Sequence, residues 1–586
     1  MKKVLLVCFL LISIYTYTQV LPADRSVDWS LAGYRGAIPD YPTVVSITNY
    51  GGSGDGVSIN DSAFTGAVNS LSGADGVIYF PSGTYLFNSP ITLRSGLVIR
   101  GSGADSTTIK LNLGGTNSSD AITIFGSASN TTALLISNGE KDSSFIYADS
   151  TWTFASGDYV QLSLNDSSLL YSPWAYGSVG QIVKIATVNA NKLLLESPLR
   201  MSYNLTKNPM ITKLNMITGV GIECVRIERM DQTTAQTSNI AYSYTAQCWV
   251  SGVESSQCNF AHIEINNSTN LSITGSYFHD AFAYGGGGQG YGIACQTTSG
   301  ECLIENNIFD HLRHSMLLQS GANDNVFGYN YSINPYWSEQ SLPSNSAGDM
   351  VLHGNYPYAN LFEGNIGQNI VIDDSHGENG PYNTFFRNRG ELYGIFMNNN
   401  PASDNQNFIG NEVTNNGFGL GFYLINGTGH FQYGNNVKGT IYASGTATLS
   451  DTSYYYKTRP DFLQTLTTWP SVGIPNLINS GAIPAKNRYQ ASNYTVCDGI
   501  LPTDITTITN EKQLQVFPNP SNGILYINVQ GPIDIAIYNS MGCIVAKYPA
   551  IKDSSPVDLS GFPKGIYTLK AEAKIKTYLP VRIVIQ

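Results

Sequence analysis

From residue 248 onward the chain repeats one short pattern of apolar and polar positions. Two or three apolar residues lead to an asparagine in Cys302-Leu-Ile-Glu-Asn-Asn307, Asn325-Val-Phe-Gly-Tyr-Asn330, Asn360-Leu-Phe-Glu-Gly-Asn365, Asn383-Thr-Phe-Phe-Arg-Asn388 and Gln406-Asn-Phe-Ile-Gly-Asn411. The closing asparagines are 23 residues apart, except for one interval of 35 that holds a 12-residue insertion. Trp249–Val253 and Ser272–Ser276 form an earlier pair at the same spacing, and the Gly285–Gly288 run marks a further insertion. A unit of this length cannot bury its own apolar face and must stack on its neighbours. The pattern therefore predicts a parallel β-solenoid. Asn307, Asn330, Asn365, Asn388 and Asn411 should sit at a turn of each coil, their amides bonded to the coils above and below. A leucine-rich repeat has a similar period, but its Leu-x-x-Leu-x-Leu frame and helices are missing.

Before the repeats, Ala63, Phe64, Ala67, Val68 and Leu71 behind Asp61 have the spacing of a short amphipathic helix. Residues 136–215 follow a different rule. Gly157-Asp-Tyr-Val-Gln-Leu162, Gln181-Ile-Val-Lys-Ile185 and Lys192-Leu-Leu-Leu-Glu196 are strand-length runs between Asn and Gly turns, which predicts an inserted β-subdomain. At the start, Lys2 and Lys3 precede the apolar run Val4–Ile14, the pattern of a secretory signal covering 1–18. No later run is long enough to span a bilayer as a helix.

Two segments resemble known families. Gly51-Gly-Ser-Gly-Asp-Gly56, the helix pattern behind Asp61, Gly76-Val-Ile-Tyr-Phe-Pro-Ser-Gly-Thr-Tyr85 and Ser95-Gly-Leu-Val-Ile-Arg-Gly-Ser-Gly103 resemble the entry cap of the pectate-lyase-like right-handed β-helix superfamily. The resemblance implies an all-β, right-handed parallel β-helix over 24–500 with a capping helix, in a superfamily of polysaccharide lyases and glycoside hydrolases. After a linker at 501–512, Phe517-Pro-Asn-Pro-Ser-Asn-Gly523, Ile533-Asp-Ile-Ala-Ile-Tyr538, Gly542 and Asp558-Leu-Ser-Gly-Phe-Pro-Lys-Gly-Ile-Tyr567 resemble the C-terminal sorting domain of the type IX secretion system of Bacteroidetes. That implies a small β-sandwich at 513–586, the secretion machinery as a partner, and a secreted or cell-surface location.

Composition agrees with a β-rich exported protein. Only 12% of the residues are charged, and 58 Gly and 37 Tyr replace the usual helix formers. The net charge of −11 removes the electrostatic basis for nucleic-acid binding. Seven cysteines remain after Cys8, without a metal-type pair spacing, so most should be small buried hydrophobes. A monomer is expected.

Histidine carries the chemical signal, because six of the seven fall between His262 and His376. Counted back from the coil asparagines, His353 and His376 take equivalent places, as do His314 and Asp349. Asp374 lies two residues before His376, Asp373 and Glu378 are near, and Arg387 and Arg389 follow in the next segment. His314, Asp349, His353, Asp374, His376 and Arg387 are thus the expected catalytic group, an acid–base set with a cation. Arg313, Glu378, Arg389 and the aromatic pair Tyr336 and Trp337 are the expected substrate contacts, since sugar faces stack on rings. Uronate β-elimination needs a cation, a base and an acid, whereas glycoside hydrolysis needs two carboxylates at suitable separation. Polygalacturonase-type relatives carry Asn-Thr-Asp, Asp-Asp and Gly-His-Gly motifs on successive coils. Here Asp373-Asp374 is present, but Asp349 sits in Gly-Asp-Met and His376 in Ser-His-Gly.

The expectation is a secreted enzyme that cleaves a polysaccharide, by elimination ahead of hydrolysis. A non-catalytic glycan-binding or adhesive β-helix and a polymer epimerase are the alternatives. No cofactor or metal ligand set is assigned. Residues 221–440 hold 19 acidic and six basic side chains, so a strongly polyanionic substrate would call for bridging calcium.

Overall fold

The computed structural model describes residues 19–115, 119–339, 347–497, 515–528, 533–539, 544–552, 555–572 and 581–586. The signal segment 1–18 and the linker 501–512 lie outside the described residues, as do Cys8, Gly542 and Cys543.

The main unit is a right-handed parallel β-helix. One face is a sheet whose strands follow chain order coil by coil: Gly76–Phe80, Leu97–Gly101, Gly221–Glu223, Thr245–Ser251, Thr269–Thr274, Leu303–Glu305, Val326–Gly328, Leu361–Glu363, Thr384–Phe386 and Asn407–Ile409. Each pairs in parallel with the next, as in Ile304↔Phe327↔Phe362↔Phe385↔Phe408. Inside the coils those rings stack 5.0 to 5.4 Å apart. Identical residues at identical coil positions thus become a continuous apolar column.

Asparagine ladders hold the turns on both sides of this sheet. Asn307, Asn330, Asn365, Asn388, Asn411 and Asn435 form one, each Nδ2 donating to the Oδ1 of the next at 2.9 to 3.2 Å. The repeat contains a second ladder that the closing asparagines do not reveal. Asn325, Asn360 and Asn383 continue into Gln406 with amide bonds of 2.8 to 3.0 Å.

The capping helix α1 spans Asp61–Ser70 and buries Ala63, Phe64 and Ala67 against the first coils. The inserted subdomain is a six-stranded antiparallel sheet of Ser127–Leu134, Phe145–Tyr147, Tyr159–Ser163, Gly180–Asn189, Lys192–Leu195 and Met210–Asn215. It starts at Ser127, before the expected position 136, because Ser127–Leu134 is a mostly polar strand that gives no apolar alternation. Its own core gathers Val160, Leu162, Val183, Ile185, Leu193 and Ile211.

Cys224, Cys248, Cys258, Cys295 and Cys302 are buried free thiols within the helix, and Cys497 is a partly buried one. The segment from Pro502 to Gln586 is a separate compact unit. Its described strands form a three-stranded and a four-stranded antiparallel sheet around Leu525, Ile527, Ile535, Ile537, Leu569 and Ile583.

Candidate active site

A second face of the β-helix carries the candidate site. Six of its strands, in chain order, are β1 Ala261–Asn266, β2 Tyr291–Gln296, β3 His314–Leu318, β4 Met350–Leu352, β5 Ile366–Ile372 and β6 Arg389–Met397. Alternation sends Ile293, Cys295, Met316, Leu318, Met350, Leu352, Ile370, Ile372, Ile395 and Met397 into the core. Two rows therefore point outward. One runs Glu264↔Ala294↔Leu317↔Val351↔Val371↔Phe396. The other begins with Asn266↔Gln296 and continues through the residues just past the later strands, Gln319, His353, Asp373 and Asn398. Of the first row Glu264, Val371 and Phe396 reach the cavity, while Ala294, Leu317 and Val351 are fully buried; of the second, Gln296, Gln319, His353, Asp373 and Asn398 offer polar groups to it.

Above this floor lies a cavity of about 780 Å³. Gly287, Gly288, Arg313 and Trp337 stand at the N-terminal ends of the strands, while Ser375, His376 and Trp174 stand at the C-terminal ends. The His353 Nδ1 meets the Asp373 Oδ2 at 2.5 Å, which leaves Nε2 as the uncommitted ring nitrogen. Ser375 donates to the same carboxylate through its backbone N–H at 2.8 Å and its hydroxyl at 2.9 Å. Burial raises the Asp373 pKa, but the His353 and Ser375 hydrogen bonds outweigh it and hold the carboxyl below its ordinary range. Three imidazoles cluster here: His353 lies 5.4 Å from His314 and 5.0 Å from His376, centre to centre. Burial, then Arg313 and His353, lower the His314 pKa, and its Nδ1 pairs with the Gly348 carbonyl at 3.0 Å. Burial and His353 likewise favour neutral His376.

The Arg313 guanidinium lies over Trp337 at 5.0 Å and Tyr291 at 5.6 Å, and donates to the Gly285 carbonyl at 2.5 Å. Arg313 Nε and Trp337 Nε1 are buried and find no acceptor among the described residues. The Tyr291 ring lies 5.1 Å from that of His314, tilted by 38°, and burial raises the pKa of its phenol. At the far end Glu264 accepts from Asn266, Gln296 and Ser238 at 2.7 to 3.0 Å, and burial raises its pKa. No group of three or more His, Cys, Asp or Glu among the described residues has the arrangement of a metal site.

The expected site residues divide. Arg313, His314, Trp337, His353 and His376 line the cavity together with Asp373. His353 does not stack on His376 in register. Its neighbour on the next coil is Asp373, because the chain takes eight residues from Leu352 to Asn360 but eleven from Ile372 to Asn383. The surplus turn carries His376 back over His353. Asp349 is not in the site. It opposes Ser315 rather than His314, and this one-residue slip turns it to the interior. There it accepts from the Ser332 hydroxyl and from the Gln368 and Asn369 N–H groups at 3.0 and 2.7 Å, and burial pushes its pKa up to about 7.

Arg387 is also placed elsewhere. It is buried under the irregular segment 446–497, donating to the carbonyls of Leu449, Asp451, Val472 and Ile474. Arg389 pairs with Glu412 at 2.6 Å and the Gly481 carbonyl at 2.8 Å, so both arginines fasten that segment to the helix. Asp374 turns to Asn398 and the Asn400 N–H at the rim, and Glu378 is exposed outside the cavity. Tyr336 packs on His311 and Tyr284 behind the wall. Glu264, Tyr291, Gln296, Gln319 and Trp174 were not legible, since their place depends on insertion lengths and, for Trp174, on a segment more than a hundred residues away.

The fold is a parallel β-helix that carries a polar, aromatic-walled groove. Residues 44–192 match the model of the family "Rhamnogalacturonase A/epimerase, pectate lyase-like", and residues 515–586 match that of a secretion system C-terminal sorting domain. The chain thus carries a pectate-lyase-like domain and a sorting tail that marks it for type IX secretion, to the cell surface or beyond. Among solved structures it resembles the tailspike protein gp49 from Pseudomonas phage LKA1, with 16% identity over 69% of this chain and 84% of that one and a TM-score of 0.42. It also resembles the A-module of the Azotobacter vinelandii mannuronan C-5 epimerase AlgE6 (13%, 68% and 98%, TM-score 0.33). A third likeness is to the catalytic domain of a GH87 alpha-1,3-glucanase (13%, 69% and 59%, TM-score 0.33). No curated protein matches.

Proposed function

We propose that the groove binds a uronate-containing polysaccharide and cleaves it by β-elimination. In this reading Arg313 neutralises the uronate carboxylate, which acidifies the C5 proton. His353, oriented through Nδ1 by Asp373, removes that proton with Nε2, and the bond from C4 to the leaving oxygen breaks as the C4–C5 double bond forms. Tyr291, a buried phenol beside Arg313 and His314, supplies the proton to the leaving oxygen.

The observation that carries the reading is the imidazole–carboxylate pair in one cavity with a buried arginine whose Nε has no acceptor among the described residues. The match of residues 44–192 to a pectate-lyase-like family supports it at the level of class. Hydrolysis is disfavoured by distance. Among the described residues Glu264 and Asp373 are the two carboxylates lining the cavity, and their places on the sheet are four rungs apart, ~19 Å at 4.8 Å per rung. Paired glycosidase carboxylates stand roughly 5 to 9.5 Å apart.

The test is to incubate the exported protein with a panel of uronate polymers and follow the ultraviolet absorbance of a conjugated unsaturated uronate. Its appearance, lost in His353→Ala, is the expected result. New reducing ends without that absorbance would mean hydrolysis, and a changed sugar spectrum without chain shortening would mean epimerisation.

A further inference from the structure

The inserted subdomain places an aromatic loop at the rim of the cavity. In Leu170–Gly177 the rings of Tyr171, Trp174 and Tyr176 are 70%, 58% and 52% exposed. Single exposed aromatics are ordinary, but three within six residues beside a polar groove are not. The loop is held from below. Tyr171 and Ser172 donate their N–H groups to the buried Asn355 Oδ1 at 3.2 and 3.0 Å, and Gly177 and Val179 donate theirs to the buried Asp166 at 2.9 to 3.0 Å. Leu170, Ala175 and Val179 anchor it through a small apolar cluster that includes Tyr356. The rings are therefore presented on a fixed backbone, with little ordering left to be done on binding.

Trp174 lines the cavity itself, its ring edge-on to His376 at 5.7 Å, and Ser172 Oγ lies 3.4 Å from the His376 Nδ1. The loop continues the groove past His376, on the wall opposite Arg313. Ser167–Ser178 contains no charged residue, whereas Arg313 is the one cation among the described residues lining the cavity. A charged uronate has a partner at Arg313 and none at the loop, while an uncharged sugar can lay its apolar face on an indole.

Resting on the reading of the groove as a uronate-glycan site, we propose that Trp174 and Tyr171 form a stacking subsite for an uncharged sugar unit.

The experiment uses the exported protein carrying His353→Ala, so that no probe is consumed. Calorimetry measures binding of rhamnogalacturonan fragments, in which uronate alternates with a neutral sugar, and of oligogalacturonides of equal length. Tighter binding of the alternating fragments, weakened roughly tenfold by Trp174→Ala and less by Tyr171→Ala, is expected. Trp152→Ala, on the same subdomain, 79% exposed and away from the cavity, should leave binding as it was. Equal affinity for the two probes, no binding of either, or indifference to Trp174→Ala in a protein with unchanged thermal unfolding would each overturn the subsite. Cleavage is read separately, from unsaturated product made by the unsubstituted protein. A chain that binds through Trp174 but releases none keeps the subsite and loses the lyase reading.

Discussion

His353 is held at both ends of its role. Asp373 and the Ser375 groups fix its Nδ1, so the ring can exchange a proton with a ligand only through Nε2. His353→Ala should abolish turnover. Asp373→Asn should keep the fold but lower kcat by roughly 10²- to 10⁴-fold, the range of a disabled acid–base group; a value within twofold of the parent would remove the pair from the mechanism. Asp349→Asn, by contrast, should leave kinetics unchanged, since Asp349 is fully buried and its bonds to the Ser332 hydroxyl and the Gln368 and Asn369 N–H groups leave it outside the cavity lining.

Elements derive their stability from repetition. Asn365 donates to the Phe327 carbonyl at 2.7 Å and to Asn388 at 2.9 Å, and accepts from Asn330. Asn365→Ala strands these buried groups and should cost about 3 kcal/mol in urea unfolding, where an exposed asparagine would cost almost nothing. The same repetition explains what could be read in advance. The 23-residue period and the cap pattern disclosed the β-helix and α1, because stacking forces identical residues into identical environments. The site was only partly legible, because turn lengths differ from coil to coil. A one-residue difference hid Asp349, and a three-residue difference put Asp373 where His376 was expected. The buried work of Arg387 and Arg389 depends on segment 446–497, which has no repeat to signal where it docks.

The whole molecule buries several carboxyls. Burial pushes Asp349, Glu305 and Glu363 up to about 7, although Tyr455 and Tyr456 donate to Glu305 and Tyr329 to Glu363. A carboxyl raised in the folded state holds its proton while the unfolded chain loses it. Its contribution is therefore complete below about pH 4 and is lost as pH rises to about 7, by roughly 3 kcal/mol per group. Unfolding should need more urea near pH 5 than near pH 8, and Glu305→Gln with Glu363→Gln should flatten that difference. The tail is separable, with its own core, so deleting residues 515–586 should stop export while the β-helix still melts cooperatively. The central claim is that this exported solenoid breaks uronate polymers by elimination at His353. Mass spectrometry of oligosaccharides released from a uronate heteropolymer tests it most directly. New non-reducing ends should be lighter by one water than hydrolytic ends, and absent with His353→Ala. Fully hydrated ends, or unsaturated ends that persist in that variant, would contradict the account.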